Sequence, residues 1–419
     1  MDRFSEADYD TLIVGARVAG AGLALLLGQR GHRVLLVDRD HFPSDTLSTH
    51  FMAPSAVSLL ARLGVLADVE AAGFRRITRS RTYVGDCHFE GPLAPDDSYA
   101  LTPRRAALDM IVIDHAARQG SVTFCERTRV DSLLTAEGRV VGARLATAGG
   151  AAREVRAKVV IGADGKFSKV AEWVGAARYR EVPALRPAYY GYYHGLAALP
   201  EPALEMFFVG ERIGFIFPMQ PGVDCLALEL QPEDFATFRA DPQGAFEARF
   251  RTLPGMAARL RDATLTGPMQ GTQGIANFLR QPYGPGWALT GDAAYLKDPS
   301  TGSGIGDALS QAFWLADALD AALRGADWET TMRAFKQRRD AALLPSYYAT
   351  LQFAQQRDSS GADLAWIRAA ISNPIFGRMF AQGLPAAVLG TFPEPVRPAV
   401  TQLAQAFGAN PVAAVAQPV

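Results

Sequence analysis

Three short stretches place glycines, acids and single arginines in patterns that have chemical meaning. The first is Gly15-Ala-Arg-Val-Ala-Gly20, set between an apolar β-branched run at 11–14 and an Ala/Leu-rich segment at 18–30. A second apolar run at 32–37 then ends at Asp38. Strand, glycine turn, helix, strand and acid is the layout that holds the ADP half of a dinucleotide. The glycines let the backbone bend and the helix pack close, the helix N–H groups meet the pyrophosphate, and the acid takes ribose hydroxyls. The middle position of the usual three glycines is Arg17, whose side chain must either turn away from the phosphates or clasp them.

The second stretch is a buried strand at 159–162 that breaks at Ala163-Asp164-Gly165, with Ser168 placed to cap the next helix. In the third, a strand ends at Gly291-Asp292, and the loop Pro299-Ser-Thr-Gly-Ser-Gly304 leads into a long helix from Gly304 to Leu323. The Asp292 carboxylate suits a polyol hydroxyl, and the loop presents N–H groups and a helix start to an anion. Arg105 stands near the start of a helix over 103–119, three residues before the apolar Leu108.

Other elements must position these groups. A helix is predicted over 53–72, an excursion of short strands over 79–100, and strands at 121–124, 128–134 and 139–146. The segment 186–230 is aromatic: Tyr189, Tyr190, Tyr192, Tyr193 and His194 precede Met206, Phe207, Phe208, Phe215 and Phe217. Ile213, Phe215 and Phe217 share one face, as do Leu226, Leu228 and Leu230, which predicts an antiparallel sheet with one buried face. Beside a cofactor, such a sheet lines a pocket for a flat apolar substrate. His50, in the loop after Asp38, together with Tyr190 and His194, are the candidate catalytic side chains. Helices follow over 232–262, and beyond residue 324 the chain reads as helical, interrupted at Pro345, with a disordered last dozen residues.

At 419 residues, 49% hydrophobic and 20% charged, the chain reads as a soluble protein of two or three domains. A net charge of -1 gives no bulk attraction to nucleic acid or anionic membrane. Arg17 and the glycines within the first apolar run exclude a signal peptide or membrane helix there. Cys87, Cys125 and Cys225 are isolated, which predicts reduced thiols, a cytoplasmic protein and no metal site.

Together, Gly15–Gly20 with Asp38, Arg105 with Leu108, Asp164-Gly165 and the 291–304 stretch resemble the FAD-dependent monooxygenases related to para-hydroxybenzoate hydroxylase, the group A flavoprotein hydroxylases. The resemblance covers most of the chain. It implies an α/β fold: a Rossmann-like FAD-binding domain (GR2-type) over 1–75, 101–180 and 272–345, with an inserted antiparallel β-sheet substrate domain over 76–100 and 181–271. A C-terminal helical segment and tail would occupy 346–419. Gly15 and Gly20 would lie under the pyrophosphate, flanked by Arg17, with Asp38 and its neighbour Arg39 at the adenosine. Arg105 would meet the phosphates or ribityl chain. Asp164 and Gly165 would support the FAD, and Asp292 the ribityl and pyrophosphate region. Pro299, Gly302 and Gly304 would pass beside the isoalloxazine.

The implied activity is oxygenation of an apolar or aromatic small molecule through a flavin C4a-hydroperoxide, using O2 and electrons from NADPH or NADH. Those electrons come either directly or through a separate flavin reductase, since only one dinucleotide turn is visible. The second reading is a reductase of carbon–carbon bonds like the geranylgeranyl reductases, and the third a flavin-binding protein without chemistry. Departures from the family are Tyr295 in place of a common His, and Gly306-Asp307 in place of a common Asn. Halogenation is disfavoured, because the Trp-x-Trp-x-Ile-Pro run is absent and no lysine precedes Lys158.

Overall fold

The computed structural model describes residues 8–84, 87–94, 98–147 and 152–355. The glycine turn sits at the centre of the first sheet. Tyr9–Val14 pairs in parallel with Val34–Val37 on one side and Arg153–Gly162 on the other. Val122–Cys125 and Trp287–Leu289 extend the parallel set at its two ends. The helix Val18–Gln29 has eleven of its twelve residues buried. A helix that is apolar all round must be enclosed on every side, and this one packs between the helices Arg105–Ala117 and Gly304–Leu323. The loops that follow the parallel strands therefore gather at one edge of the sheet, where ligands bind in open α/β folds.

The aromatic segment forms a separate seven-stranded sheet. In spatial order its strands are Thr264–Thr272, Ala188–His194, Val223–Glu229, Arg212–Pro218, Leu204–Val209, Arg79–Val84 and Cys87–Pro92. Pairing is antiparallel except between Leu204–Val209 and Arg79–Val84, which run parallel. One face carries Tyr193, Phe207, Ile216, Leu226 and Leu228 into a core with Phe238, Phe246 and Phe250 from the helices Phe235–Ala240 and Pro242–Arg251. The opposite face does not meet solvent and instead walls a cavity. A small third sheet joins Arg178–Val182, Asn277–Arg280 and Tyr295–Leu296.

The expected break at Pro345 is corrected: one helix runs from Trp328 to Ala354 with the proline inside. Proline removes one hydrogen bond and clashes with the preceding turn. Contacts on both sides of it hold the helix together, through Leu343, Tyr347 and Leu351 against Leu279 and Tyr295. Of the 346–419 segment, residues from 356 onward lie outside the described residues. No helix among the described residues is long and apolar enough to cross a membrane.

Candidate functional site

A cavity of about 840 Å³ runs from the ends of the parallel strands to the seven-stranded sheet. It is within the size range of small-molecule and cofactor sites. Gly15, Arg17, Asp38, Arg39, Arg105, Asp164, Gly165, Asp292, Pro299, Gly302 and Gly304 all line it. Gly20 does not. It stands one helical turn behind the wall, where an added Cβ would come 1.8 Å from the Gly15 carbonyl oxygen. Its part is close packing of helix on turn.

Asp38 is buried and accepts hydrogen bonds from the Ala16 N–H at 2.7 Å and the Asp40 N–H at 2.9 Å. Burial raises its affinity for a proton, and these two backbone donors oppose that shift. The Arg17 guanidinium folds over the loop after Asp38, donating to the Ser44 carbonyl at 3.1 Å and to Asp109 Oδ2 at 2.9 Å. Asp109, absent from the sequence reading, is the hub. Fully buried, it also accepts from the Val18 N–H at 3.2 Å and from Arg105 Nη2 at 2.9 Å. Its spacing from Arg105, four residues on one helix, was the available signal.

Asp164 serves the protein rather than the lumen. Its carboxylate accepts from Ser168 Oγ at 2.5 Å, the Lys169 N–H at 2.7 Å and the Val170 N–H at 3.1 Å, which pins the start of the next helix. Asp292 is the reverse case. Asp292 is exposed where it lines the cavity, and its carboxylate makes no hydrogen bond to the described residues. Burial raises its pKa, opposed by Arg105 and then Lys166. An unpartnered carboxylate on a cavity wall is what polyol hydroxyls would satisfy. At Gly304, the first residue of the long helix, an added Cβ would meet nothing within 4 Å. Gly304 and Ile305 line the cavity, so the start of that helix borders it, and the lining residues fit FAD.

Removing the Asp292 carboxylate should weaken FAD without harming the fold. Asp292→Ala is expected to keep its secondary structure and lose FAD affinity by about tenfold or more, the worth of one or two hydrogen bonds. Titrating apoprotein with FAD by fluorescence quenching checks this, and an unchanged dissociation constant would remove Asp292 from the binding set.

The catalytic candidates separate. Tyr190 lines the cavity and donates to the Thr46 carbonyl at 3.3 Å. His50 is corrected: it lies behind the wall, fully buried, with Nδ1 3.3 Å from the Pro103 carbonyl and Nε2 2.9 Å from the Tyr192 hydroxyl. Its φ is 59°, in the left-handed region. His194 is corrected as well. It shares the parity of Tyr190 and Tyr192 but lies at the strand end, exposed, beyond the lining.

Burial, with Arg105 second, depresses the His50 pKa to about 3. The unfolded chain therefore binds a proton below pH ~6.5 that the native state refuses until near pH 3, so stability is full above pH 6.5 and falls as pH drops. The loss should approach about 1.4 kcal/mol per pH unit. His50→Asn, which tolerates positive φ, should flatten the dependence of Tm on pH between 6.5 and 5. Equal slopes in the two proteins would refute it.

Residues 8–189 match the family model described as FAD binding domain. This region is similar to FAD binding domains. The chain is 24% identical over 339 residues to the 1H-pyrrole-2-carbonyl-[peptidyl-carrier protein] brominase of Pseudoalteromonas luteoviolacea, covering 78% of this chain and 81% of that protein. It is 30% identical over 175 residues to the 6-methylpretetramide 4-monooxygenase of Streptomyces rimosus, covering 40% and 41%. Among solved structures it is similar to a flavin-dependent brominase, with a TM-score of 0.76 at 20% identity over 87% of this chain and 90% of that one. The fold is that of FAD-dependent halogenases and monooxygenases of known structure.

Proposed function

We propose that this FAD-binding protein is a monooxygenase acting on an apolar, ring-containing small molecule. One oxygen atom of O2 would enter the substrate and the other leave as water, with two electrons from NADPH or NADH, taken directly or through a separate flavin reductase. The observation that carries this is the chamber beyond the cofactor turn. Tyr190, Met206, Phe215, Phe217 and Ala227 wall the same cavity as Pro299, Gly302 and Gly304. Phe51 joins the two sides: its ring lies 6.2 Å from that of Phe217, and a Cβ on Gly302 would come within 3.1 Å of it.

Bound FAD would supply two-electron reduction and reaction with O2. The chain's residues would supply the setting: Asp292 holds the cofactor chain, and the start of the Gly304–Leu323 helix offers positive partial charge to an anionic ring edge. The aromatic wall excludes water.

A second reading, halogenation, is favoured by the brominase relatives. Against it stands the absence of a Trp-x-Trp-x-Ile-Pro run, and Lys297 of the cavity lining has its Nζ 3.0 Å from Asp307 and 2.6 Å from Ser346 Oγ, so that ammonium is paired and held. The deciding experiment reduces the FAD-loaded protein anaerobically with NADPH or NADH, then admits O2 with aromatic candidates and bromide present. Oxygenated product supports the proposal. Brominated product, or product formed before air is admitted, overturns it in favour of halogenation or reduction respectively.

A further inference from the structure

The chamber wall carries one side chain that its apolar chemistry does not explain. On the strand Val223–Glu229, alternation sends Leu226 and Leu228 into the helix-covered core and turns Cys225, Ala227 and Glu229 the other way. Glu229 lines the cavity and is 4% exposed. Its Oε2 has no hydrogen-bond partner among the described residues. A carboxyl so placed costs folding energy, because a buried polar atom without a partner forfeits the bonds it made in water.

The surroundings define the state of that carboxyl. Glu229 pairs across the sheet with Ala188 and Ile213, neither of which offers a side-chain donor. Thr272, which pairs with Ala188 from the far side, also lines the cavity. Asp298, at the start of the cofactor loop, is near enough to act on Glu229 electrostatically and itself keeps Oδ2 unpartnered. The cation in reach, Arg186, donates to the carbonyl oxygens of Ala354 at 2.8 Å and Glu211 at 3.2 Å. Burial first, and Asp298 second, push Glu229 well above the usual carboxylate range, with Arg186 opposing. A neutral carboxyl offers one O–H donor and one carbonyl acceptor to the lumen.

We propose that Glu229 is a specificity-determining residue whose carboxyl hydrogen-bonds an uncharged polar group, a phenolic hydroxyl or an amide, on an otherwise apolar ring substrate. This rests on the chamber being a substrate site, and deepens that reading by naming which end of the ligand is polar. The energetic logic is that of a site built to pair with a polar group: it discriminates strongly against an analogue lacking that group, since its own polar atom is then left unpaired.

The test reads binding alone, with FAD oxidised and no nicotinamide present, so it is independent of which reaction follows. The probes are 2-naphthol and 2-methylnaphthalene, equal in shape and different only in the hydroxyl, titrated while the flavin absorbance is followed. The ratio of their affinities is compared in wild type, Glu229→Gln and Glu229→Leu, each first shown to carry FAD at the wild-type level. Glutamine keeps a donor and an acceptor, so the ratio should stay within about threefold of wild type, whereas leucine should shift it about tenfold against naphthol, the worth of one hydrogen bond. Glu229→Leu should also raise Tm, since an unpaired buried carboxyl is replaced by an apolar group. An unchanged ratio in Glu229→Leu, a loss in Glu229→Gln equal to that in Glu229→Leu, or no saturable binding of 2-naphthol by wild type would each overturn the assignment. Failure of the oxygenation experiment would leave this result standing.

Discussion

Asp109→Ala should destabilise the apoprotein by about 3–5 kcal/mol, the usual consequence of removing one partner from a buried ion pair. The carboxylate is fully buried and holds two guanidinium groups, Arg105 at 2.9 Å and Arg17 at 2.9 Å, together with the Val18 N–H at the start of the central helix. Without it, three donors at one point lose their common acceptor. The signature that separates this from a simple packing defect is its response to cofactor. A pyrophosphate meeting the freed arginines would replace part of the lost negative charge. Saturating FAD should therefore raise the Tm of the variant by more than it raises the Tm of wild type. Equal apoprotein Tm values, or equal gains with FAD, would refute the hub role.

Gly15→Val is the second large effect, and it acts on the turn itself. Gly15 has a φ of +104°, and an added Cβ would stand 2.3 Å from the Ala163 carbonyl oxygen, a backbone atom that cannot step aside. Left-handed backbone and a backbone clash coincide there, so a loss of more than about 3 kcal/mol is expected, with bound FAD below a tenth of the wild-type level. Gly304→Ala is the control. Its Cβ enters open space at a helix start and its φ is ordinary, so the fold should be kept or slightly stabilised while FAD affinity falls. Normal FAD content in Gly15→Val would show that the parallel strands can separate at this point.

How much of this could be read beforehand follows from the range of each interaction. Local signals carried well: the helix Gly304–Leu323 starts and stops where its glycines and composition imply, and Ser168 accepts from the Ala171 N–H as a cap should. Alternation placed Leu226 and Leu228 on one face, so the opposite parity of Glu229 was implicit in the same strand. What alternation cannot state is what covers the other face, and that face met a cavity rather than water. Tyr190 and His194 share parity, yet the strand outruns the cavity before reaching His194. The Asp109 contacts join residues 91 and 92 positions apart, Val18 and Arg17 respectively, beyond any periodic pattern. His50 follows Ser48 and Thr49 of the lining, yet its ring is taken up by the Pro103 carbonyl and the Tyr192 hydroxyl, contacts that join residues 53 and 142 positions apart.

The helix Trp328–Ala354 has a consequence for how the cofactor loop is governed. Ser346 receives the Lys297 ammonium at 2.6 Å, and the hydroxyls of Thr350 and Thr301 are 2.9 Å apart. The loop that carries Pro299 and Gly302 is thus moored, at both of its shoulders, to an element about fifty residues later in the chain. The loop's rest position therefore depends on this outside brace as well as on its own helix, where Lys297 also meets Asp307. Any slackening of that brace would be transmitted as a change in where the loop's amides stand, without a single substitution inside the cavity.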